Sequence, residues 1–195
     1  MAKEYIRKLT KQKASFLLTI PKDVIIELSI REGDLIAIRL EDNRIVLSKA
    51  RKDDKIVYTI GYAGKTLDNI FETMRKNKIK QLIDVRNTPF SMKNGFSKAP
   101  LETSLKENGF SYLHMPLLGA PKAIRLEIKK NGNRELFFKL YRNWLKKNSS
   151  ELKKLTSVTA NTRSILMCVE EDYRDCHRSV LGEELTNAGF EVMNL

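Results

Sequence analysis

The segment Ser164–Leu185 constrains the fold more than any other part of the sequence, because a buried strand runs there through a polar loop into a helix. Ser164–Cys168 is short and apolar, which predicts a strand covered on both faces. Three consecutive acids, Glu170 to Asp172, follow it, and Asp175 is placed to cap a helix that begins at Cys176. This order is typical of α/β proteins, which hold anions at the free N–H groups of helix N-termini.

The rest of residues 56–195 repeats the alternation of strands and helices. The predicted strands are Ile56–Ile60, Lys80–Val85, Phe110–His114, Ile165–Cys168 and Phe190–Leu195. Helices are predicted from Leu67, with Thr66 as the N-cap, from Leu101, around Leu136–Leu145 and from Cys176. Residues 87–100 and 119–132 are predicted to be long loops over the ligand edge. We therefore predict an α/β fold, a mostly parallel five-stranded sheet with helices on both faces.

Residues 1–50 show a different pattern, in which short alternating runs are separated by turns. Ser15–Ile20, Leu35–Leu40 and Arg44–Ser48 predict strands, and a helix-like stretch ends at Leu28. Residues 51–55 are charged, lack an apolar pattern and are predicted to be a linker. The sequence thus predicts a small β-rich domain at residues 1–50, a linker at 51–55 and an α/β domain at 56–195.

The chain is strongly basic. Its 195 residues carry a formal net charge of +12, and basic residues exceed acidic ones in both predicted domains. Such a charge indicates an anionic partner, nucleic acid first, although it serves solubility equally well. No apolar run approaches the ~20 residues of a membrane span, and the basic start lacks the apolar core of a signal peptide. With only two cysteines, we expect a reduced cytoplasmic protein that does not contact a membrane.

Reactive and charged side chains follow four of the predicted strands. Because the carboxyl ends of parallel strands share one edge, we expect these side chains to form a single ligand cleft. The predicted catalytic residues are Glu170, His177, Asp84 and His114; the predicted anion-binding residues are Arg86, Arg178, Gly61, Tyr62, Gly64 and Cys176. In this hypothesis Glu170 or His177 acts as general acid or base, and the two arginines hold a phosphate-type oxyanion. Asp84 and Arg86 lie two apart on one face of a strand and are expected to neutralise each other, and the backbone amides of Gly61–Gly64 are expected to form a small anion-binding nest. The spacing of His177 from Leu181 and Leu185 predicts that its side chain points inward.

Other site chemistries fit the sequence less well. Gly61–Thr66 is similar to the tail of a P-loop, but position 59 is Thr where that motif needs glycine. The two cysteines and two histidines supply zinc donors, yet they lack close paired spacing, and adjacent residues such as Cys176 and His177 rarely both reach one ion. The acidic loop opposes a cysteine nucleophile. We therefore predict no metal and no cofactor, and we interpret the cysteines as structural.

The N-terminal pattern resembles the AbrB/MazE swapped-hairpin family. The resemblance is carried by Leu18–Lys22, Ile30–Asp34 and Ile45–Leu47. It implies an interleaved homodimer that binds DNA through basic residues near the first strand, which by position are Arg7, Lys8, Lys11 and Lys13. Physics also favours a dimer, since about 50 residues bury too little alone. DNA binding and dimerisation alone both remain open.

Residues 56–195 resemble the family called domain of unknown function 488. The matching motifs are Ile60-Gly61-Tyr62, Leu82–Arg86, Pro89, Tyr112–His114, Leu118-Gly119, Met167-Cys168 and Cys176-His177-Arg178. This resemblance implies the same α/β fold but supplies no chemistry.

The sequence leaves three functions open. The first is an enzyme that acts on nucleotides or nucleic acid and is brought to DNA by the N-terminal dimer. The second is a non-catalytic regulator that binds DNA and senses a small anion. The third is an adaptor whose N-terminal domain only dimerises.

Overall fold

The structure is a computed structural model that describes residues 5–13, 15–34, 36–41, 44–49 and 55–195. It divides into two compact units, Met1–Arg51 and Lys52–Leu195. The predicted turn at residues 42–43 and residues 51–54 of the predicted linker lie outside the described residues.

The N-terminal unit contains two antiparallel hairpins and one short helix. Its elements are β1 (Thr10–Gln12), β2 (Ser15–Leu17), α1 (Lys22–Glu27), β3 (Ile36–Glu41) and β4 (Arg44–Lys49). Strand β1 pairs with β2, and β3 pairs with β4. The sequence did not predict β1, because its residues are all polar, and β2 ends three residues before the predicted end at Ile20. Among the residues of this unit whose side chains the structure describes, none is buried.

The C-terminal unit is a parallel sheet covered by helices, which confirms the predicted fold class. Its strands are β5 (Ile56–Gly61), β6 (Gln81–Asp84), β7 (Ser111–His114), β8 (Ser164–Cys168) and β9 (Glu191–Asn194). Its helices are α2 (Leu67–Lys76), α3 (Lys98–Glu107), α4 (Lys122–Asn131), α5 (Arg134–Lys147), α6 (Ser149–Asn161) and α7 (Arg178–Asn187). The strand order is β7-β6-β8-β5-β9, and all neighbours are parallel. No helix in the described parts of the chain is long and apolar enough to cross a membrane.

Alternating side chains divide the core between the two faces of this sheet. Leu82 of β6 packs with α2 and α3 on one side, which we call the α2/α3 face. Its neighbour Ile83 packs with α5, α6 and α7 on the other side, which we call the α5–α7 face. Since successive residues of a strand point in opposite directions, each residue at the carboxyl edge is assigned to one face by its parity.

Three helices differ from the sequence prediction. Residues 119–132 were predicted to be a loop but contain α4, and α6 was not predicted because only Leu155 and Thr159 of its 13 residues are buried. Helix α7 begins at Arg178 rather than Cys176. Asp175 ends a short 3₁₀ turn and does not cap α7, and the residue at the N-cap position, His177, makes no side-chain capping bond. The predicted cap at Thr66 is confirmed, as its hydroxyl accepts from the Asn69 N–H at 3.2 Å.

Candidate functional site at the carboxyl edge of the sheet

The carboxyl edge carries two separate polar clusters rather than the single cleft expected from the sequence. Asp84 shares its parity with Leu82, so its side chain lies on the α2/α3 face. Cys168 packs with Leu166 on the α5–α7 face. The expected cleft placed Asp84 together with His177, and the alternation of side chains about β6 separates them.

Asp84 and Arg86 form a buried ion pair on the α2/α3 face. The Asp84 carboxylate accepts from Arg86 Nε at 2.8 Å, from the Arg86 backbone N–H at 3.1 Å and from the Tyr112 hydroxyl at 2.9 Å. Arg86 Nη2 also donates to Asp84, and Nη1 donates to the Tyr62 hydroxyl at 3.2 Å. Asp84 is fully buried and Arg86 is 3% exposed. The mutual neutralisation predicted for this pair is therefore present, and the guanidinium is occupied by internal partners.

The ion pair shifts the pKa of Arg86 itself and that of the adjacent Tyr112. Burial disfavours the charged guanidinium, but the hydrogen bonds and charge of Asp84 outweigh it and raise the pKa of Arg86 above its usual value. Burial and the charge of Asp84 raise the pKa of Tyr112 as well. Tyr112 therefore stays a neutral hydrogen-bond donor at physiological pH, and its bond to Asp84 at the end of β6 is retained.

The two histidines contact successive carbonyl groups where the chain leaves β6. His177 Nε2 lies 3.0 Å from the Val85 oxygen, and His114 Nε2 lies 2.9 Å from the Arg86 oxygen. His177 is buried, as its spacing from Leu181 and Leu185 predicts, whereas His114 is half-buried. The structure thus fixes both imidazoles against the same short segment of backbone.

A second cluster, the thiol–imidazole cluster, consists of Cys168, Glu170, Cys176 and His177 on the α5–α7 face. Cys168 Sγ lies 3.0 Å from Glu170 Oε2 and 3.9 Å from His177 Nδ1. Cys176 Sγ lies 3.6 Å from the same imidazole nitrogen. Both cysteines are free thiols and buried. The structure therefore joins three predicted site residues, Glu170, Cys176 and His177, with one that we interpreted as structural.

Mutual contacts shift the pKa of every member of this cluster. Burial opposes ionisation of Cys176, but the hydrogen bond from Cys168 and the charge of His177 outweigh it, so the pKa of Cys176 lies well below that of an ordinary thiol. The same hydrogen bond, together with burial, raises the pKa of Cys168. Burial disfavours the charged form of His177, yet Cys176 raises its pKa, and burial raises the pKa of Glu170. The cluster concentrates negative charge on the Cys176 sulfur.

Arg178 is buried and directs hydrogen-bond donors at the thiol–imidazole cluster. Its Nε donates to Cys176 Sγ at 3.3 Å, and its backbone N–H points to the same sulfur at 3.5 Å. Its Nη2 donates to the backbone oxygens of Glu170 and Glu171. Arg178 is 1% exposed. The predicted oxyanion clamp of Arg86 with Arg178 is not assembled, because each guanidinium is buried against its own internal partners.

The segment Gly61–Gly64 does not form the predicted nest of free backbone donors. The N–H groups of Tyr62 and Ala63 donate to the oxygens of Cys168 and Val169, which extends the pairing of β5 with β8. A Cβ at Gly61 would lie 1.8 Å from the Glu170 oxygen, so glycine is required there by this close approach. The Tyr62 ring stacks on Phe96 and its hydroxyl accepts from Arg86.

A cavity of about 380 Å³ opens beside the thiol–imidazole cluster. Glu170, Cys176 and His177 line it from the sheet edge, and Lys122 and Arg125 line it from α4. Both cations are exposed and lie three residues apart, on one side of the helix. Reactive side chains and exposed cations therefore line the same cavity. The cations are Lys122 and Arg125 rather than the predicted Arg86 and Arg178.

Sequence reasoning missed several groups that build this region. In the sequence, Lys122 and Arg125 are only charges in a predicted loop, and Tyr141 is only part of an amphipathic stripe. The Tyr141 ring meets the His177 ring edge-on at 5.2 Å between centroids, and its hydroxyl donates to the Leu118 oxygen. The phenol hydroxyls of Tyr112 and Tyr141 signal polar partners within the core, which is the feature that would have identified them.

Comparison with protein families gives two matches. The family described as Domain of unknown function DUF488 matches residues 66–185, which is more than half of the chain. The family described as Antidote-toxin recognition MazE, bacterial antitoxin, matches residues 9–55. Both matches confirm the resemblances identified from the sequence. Searches of curated proteins and of solved structures find no match.

Asp84→Asn is expected to destabilise the C-terminal unit by about 3–5 kcal/mol, because it leaves the buried Arg86 charge without its carboxylate. Urea unfolding followed by circular dichroism measures the change. The matched control is Asp172→Asn, which breaks an exposed pair with Arg174 and should leave the free energy of unfolding nearly unchanged. Equal effects of the two substitutions would contradict a structural role for the buried pair.

Proposed function

We propose, from the premise that the chain belongs to the family described as Domain of unknown function DUF488 and has a MazE-like N-terminal segment, that it is a DNA-binding homodimer whose C-terminal domain binds a small phosphate-type anion. The observation that carries the ligand assignment is the cavity in which Lys122 and Arg125 face Glu170, Cys176 and His177. The dimer and DNA assignments rest on the N-terminal unit.

The apolar surface of the N-terminal unit supports dimerisation with a second copy of the chain. Ile38 and Ile45 lie on one face of the β3–β4 hairpin and are 71% and 73% exposed. Phe16 is 68% exposed on β2. Where the structure describes the side chains of this unit, they are exposed or half-buried, and so small a unit gains little stability from a core of its own. A second copy would cover these side chains and supply the missing core.

The first hairpin supports DNA binding. Lys11 lies in β1, Lys13 lies at the turn, and Arg7 and Lys8 lie two to three residues before the strand; all four side chains are exposed. Clustered lysines and arginines neutralise phosphates and release counterions, which gives DNA affinity without a requirement for sequence. A dimer doubles this basic surface, and β-ribbons of this kind read DNA in other proteins.

The cavity supports the proposal of an anionic ligand because the two cations that line it are exposed to solvent. Lys122 and Arg125 are exposed, and no ion pair joins either to an acid among the described residues. Arg125 offers a planar set of donors that fits two phosphate oxygens. A phosphate group of a nucleotide is the ligand class that best fits these two cations.

An enzyme acting on that ligand is the second candidate function. Its specific support is that the lining includes a carboxyl, a thiol and an imidazole within one cavity, the set of groups from which catalytic sites are built. Product formation from a panel of nucleotides and short nucleic acids would favour the enzyme. Ligand binding without turnover, accompanied by a change in DNA affinity, would favour the regulator.

Ile45→Asp is expected to convert the homodimer into a monomer at micromolar concentration, because it places a charge in the apolar face that a second copy would cover. Sedimentation equilibrium measures the mass. Met92→Asp is the matched control, since Met92 is 96% exposed in the C-terminal unit and should leave the dimer intact. A monomeric wild-type protein at these concentrations would refute the proposed dimer.

Replacing Lys8, Lys11 and Lys13 together by Gln is expected to weaken DNA binding regardless of sequence. The slope of log K against log salt should fall by about 0.9 for each phosphate that is no longer neutralised. The control replaces Lys76, Lys80 and Lys106, which are equally exposed in the C-terminal unit. If the control triple variant weakens binding as much as the hairpin variant, binding is not located in the first hairpin.

Lys122→Gln combined with Arg125→Gln is expected to raise the Kd for inorganic phosphate or a nucleoside monophosphate about tenfold, equal to about 1.4 kcal/mol. Isothermal titration calorimetry on the full chain measures it. Lys153→Gln combined with Lys154→Gln, on α6, removes the same number of exposed charges away from the cavity. Failure of the wild-type protein to bind any of these ligands would overturn the proposed anion site.

A further inference from the structure

The thiol–imidazole cluster has the geometry of a metal centre. The Cys168 sulfur, the Cys176 sulfur and the His177 Nδ1 atom all lie within 4.8 Å of one another. The two sulfur–nitrogen separations are 3.9 and 3.6 Å. A tetrahedral zinc ion with bonds of about 2.3 Å to sulfur and about 2.0 Å to nitrogen holds such atoms roughly 3.5–3.8 Å apart. The two sulfur–nitrogen separations are thus close to those of a zinc tetrahedron, and the two sulfur atoms lie within 4.8 Å of each other.

The backbone explains how two adjacent residues reach one point. Cys176 is extended, with φ −119° and ψ 150°, whereas His177 is already helical, with φ −56° and ψ −16°. This abrupt change of direction turns both side chains to the same side, where Cys168 arrives from the end of β8. Because the backbone changes conformation between Cys176 and His177, their adjacency in the sequence does not prevent both side chains from reaching one ion.

The groups around the cluster orient its atoms for metal binding. His177 Nε2 lies 3.0 Å from the Val85 oxygen, so donation of its proton there leaves the Nδ1 lone pair directed at the two sulfurs. Arg178 directs its Nε and its backbone N–H at Cys176 Sγ, as donors commonly do at metal-bound thiolates. Its buried positive charge also compensates the negative charge that two thiolates and a nearby carboxylate would bring.

We propose that Cys168, Cys176 and His177 bind one thiophilic divalent cation per chain, zinc first. Thiolate and imidazole ligands select zinc and related transition metals over magnesium or calcium. Cys176 and His177 also line the cavity, as does Glu170, whose Oε2 lies 3.0 Å from the Cys168 sulfur, so water, a substrate or this carboxylate could supply a fourth ligand. Three protein ligands with a further position toward a cavity is the arrangement of catalytic zinc sites, in which that position takes water or substrate.

Metal binding at this cluster needs neither DNA nor a phosphate ligand. Its failure would therefore leave the proposed function standing, and its success would not establish that function. The charge of a divalent cation would be balanced by the two thiolates, so Lys122 and Arg125 would remain the cations open to an anion in the same cavity.

The test uses the full chain without a histidine tag, purified without chelators. Mass spectrometry of the metal content is expected to give about one zinc per chain, and titration of the metal-free protein with Co²⁺ should produce sulfur-to-cobalt charge-transfer absorption that saturates at one equivalent. Cys176→Ser and Cys168→Ser should each abolish this absorption. His114→Ala removes the only other histidine of the sequence, on the far side of β6, and should retain full binding.

The wild-type cobalt spectrum needs no variant, so a misfolded substitution cannot obscure the result. Absence of charge-transfer absorption in the wild-type protein, with both thiols reacting with a disulfide reagent at the same rate with and without Zn²⁺, would overturn the proposal. Equal loss of cobalt binding in His114→Ala and Cys176→Ser would overturn it as well, because binding would then not depend on this cluster.

Discussion

The hydrogen bonds from two histidines to the end of β6 are the contacts at which the two polar clusters of the carboxyl edge meet one segment of backbone. His114 and His177 come from different segments, yet they bond to consecutive carbonyl groups, those of Arg86 and Val85. Successive backbone groups of an extended chain point in opposite directions, so the two imidazoles lie on either side of this segment. The Asp84–Arg86 pair closes the same segment from within, since Asp84 binds both the side chain and the backbone N–H of Arg86. The Asp84–Arg86 pair on one face of the sheet and His177 on the other face therefore contact the same short segment of backbone.

Much of the fold could be predicted, because apolar runs and helical stripes report burial directly. The five strands, the cap at Thr66 and the inward direction of His177 follow from residue spacing alone. The division of the edge residues between the two faces of the sheet could not be predicted. It depends on the exact residue at which each strand ends, because successive side chains of a strand point to opposite faces. The shared position of Cys176 and His177 was also beyond spacing arguments, since it results from a break in backbone conformation between two neighbours. Helix α6 was missed because its few apolar residues, Leu152, Leu155 and Val158, are spread among polar ones and form only a weak stripe.

The arginines show why residue type does not identify a ligand-binding cation. Arg86 and Arg178 were predicted to grip an anion, but both are buried, and a buried guanidinium must bind internal acceptors to offset its lost hydration. Those acceptors are a carboxylate for Arg86, and backbone oxygens and a sulfur for Arg178. Lys122 and Arg125 keep their water because they lie on an exposed helix, and water can be exchanged for a ligand at little cost. Exposure, which the sequence does not encode locally, decides which cations remain available.

In the proposed homodimer, the activity of the protein would depend on its concentration. Because Ile38 and Ile45 are exposed, the N-terminal unit would gain stability from association with a second copy, so folding, dimerisation and DNA binding are expected to be linked by mass action. A ligand in the C-terminal cavity can change DNA affinity only by binding the DNA-bound and free forms with different affinity, and tight binding by itself shifts nothing. A regulator must therefore transmit a difference from the cavity to residues 1–50, whereas an enzyme needs no such coupling. The two functions therefore differ in one physical quantity, the coupling free energy between ligand binding and DNA binding. A regulator requires that the two binding free energies are not additive, whereas an enzyme has no such requirement.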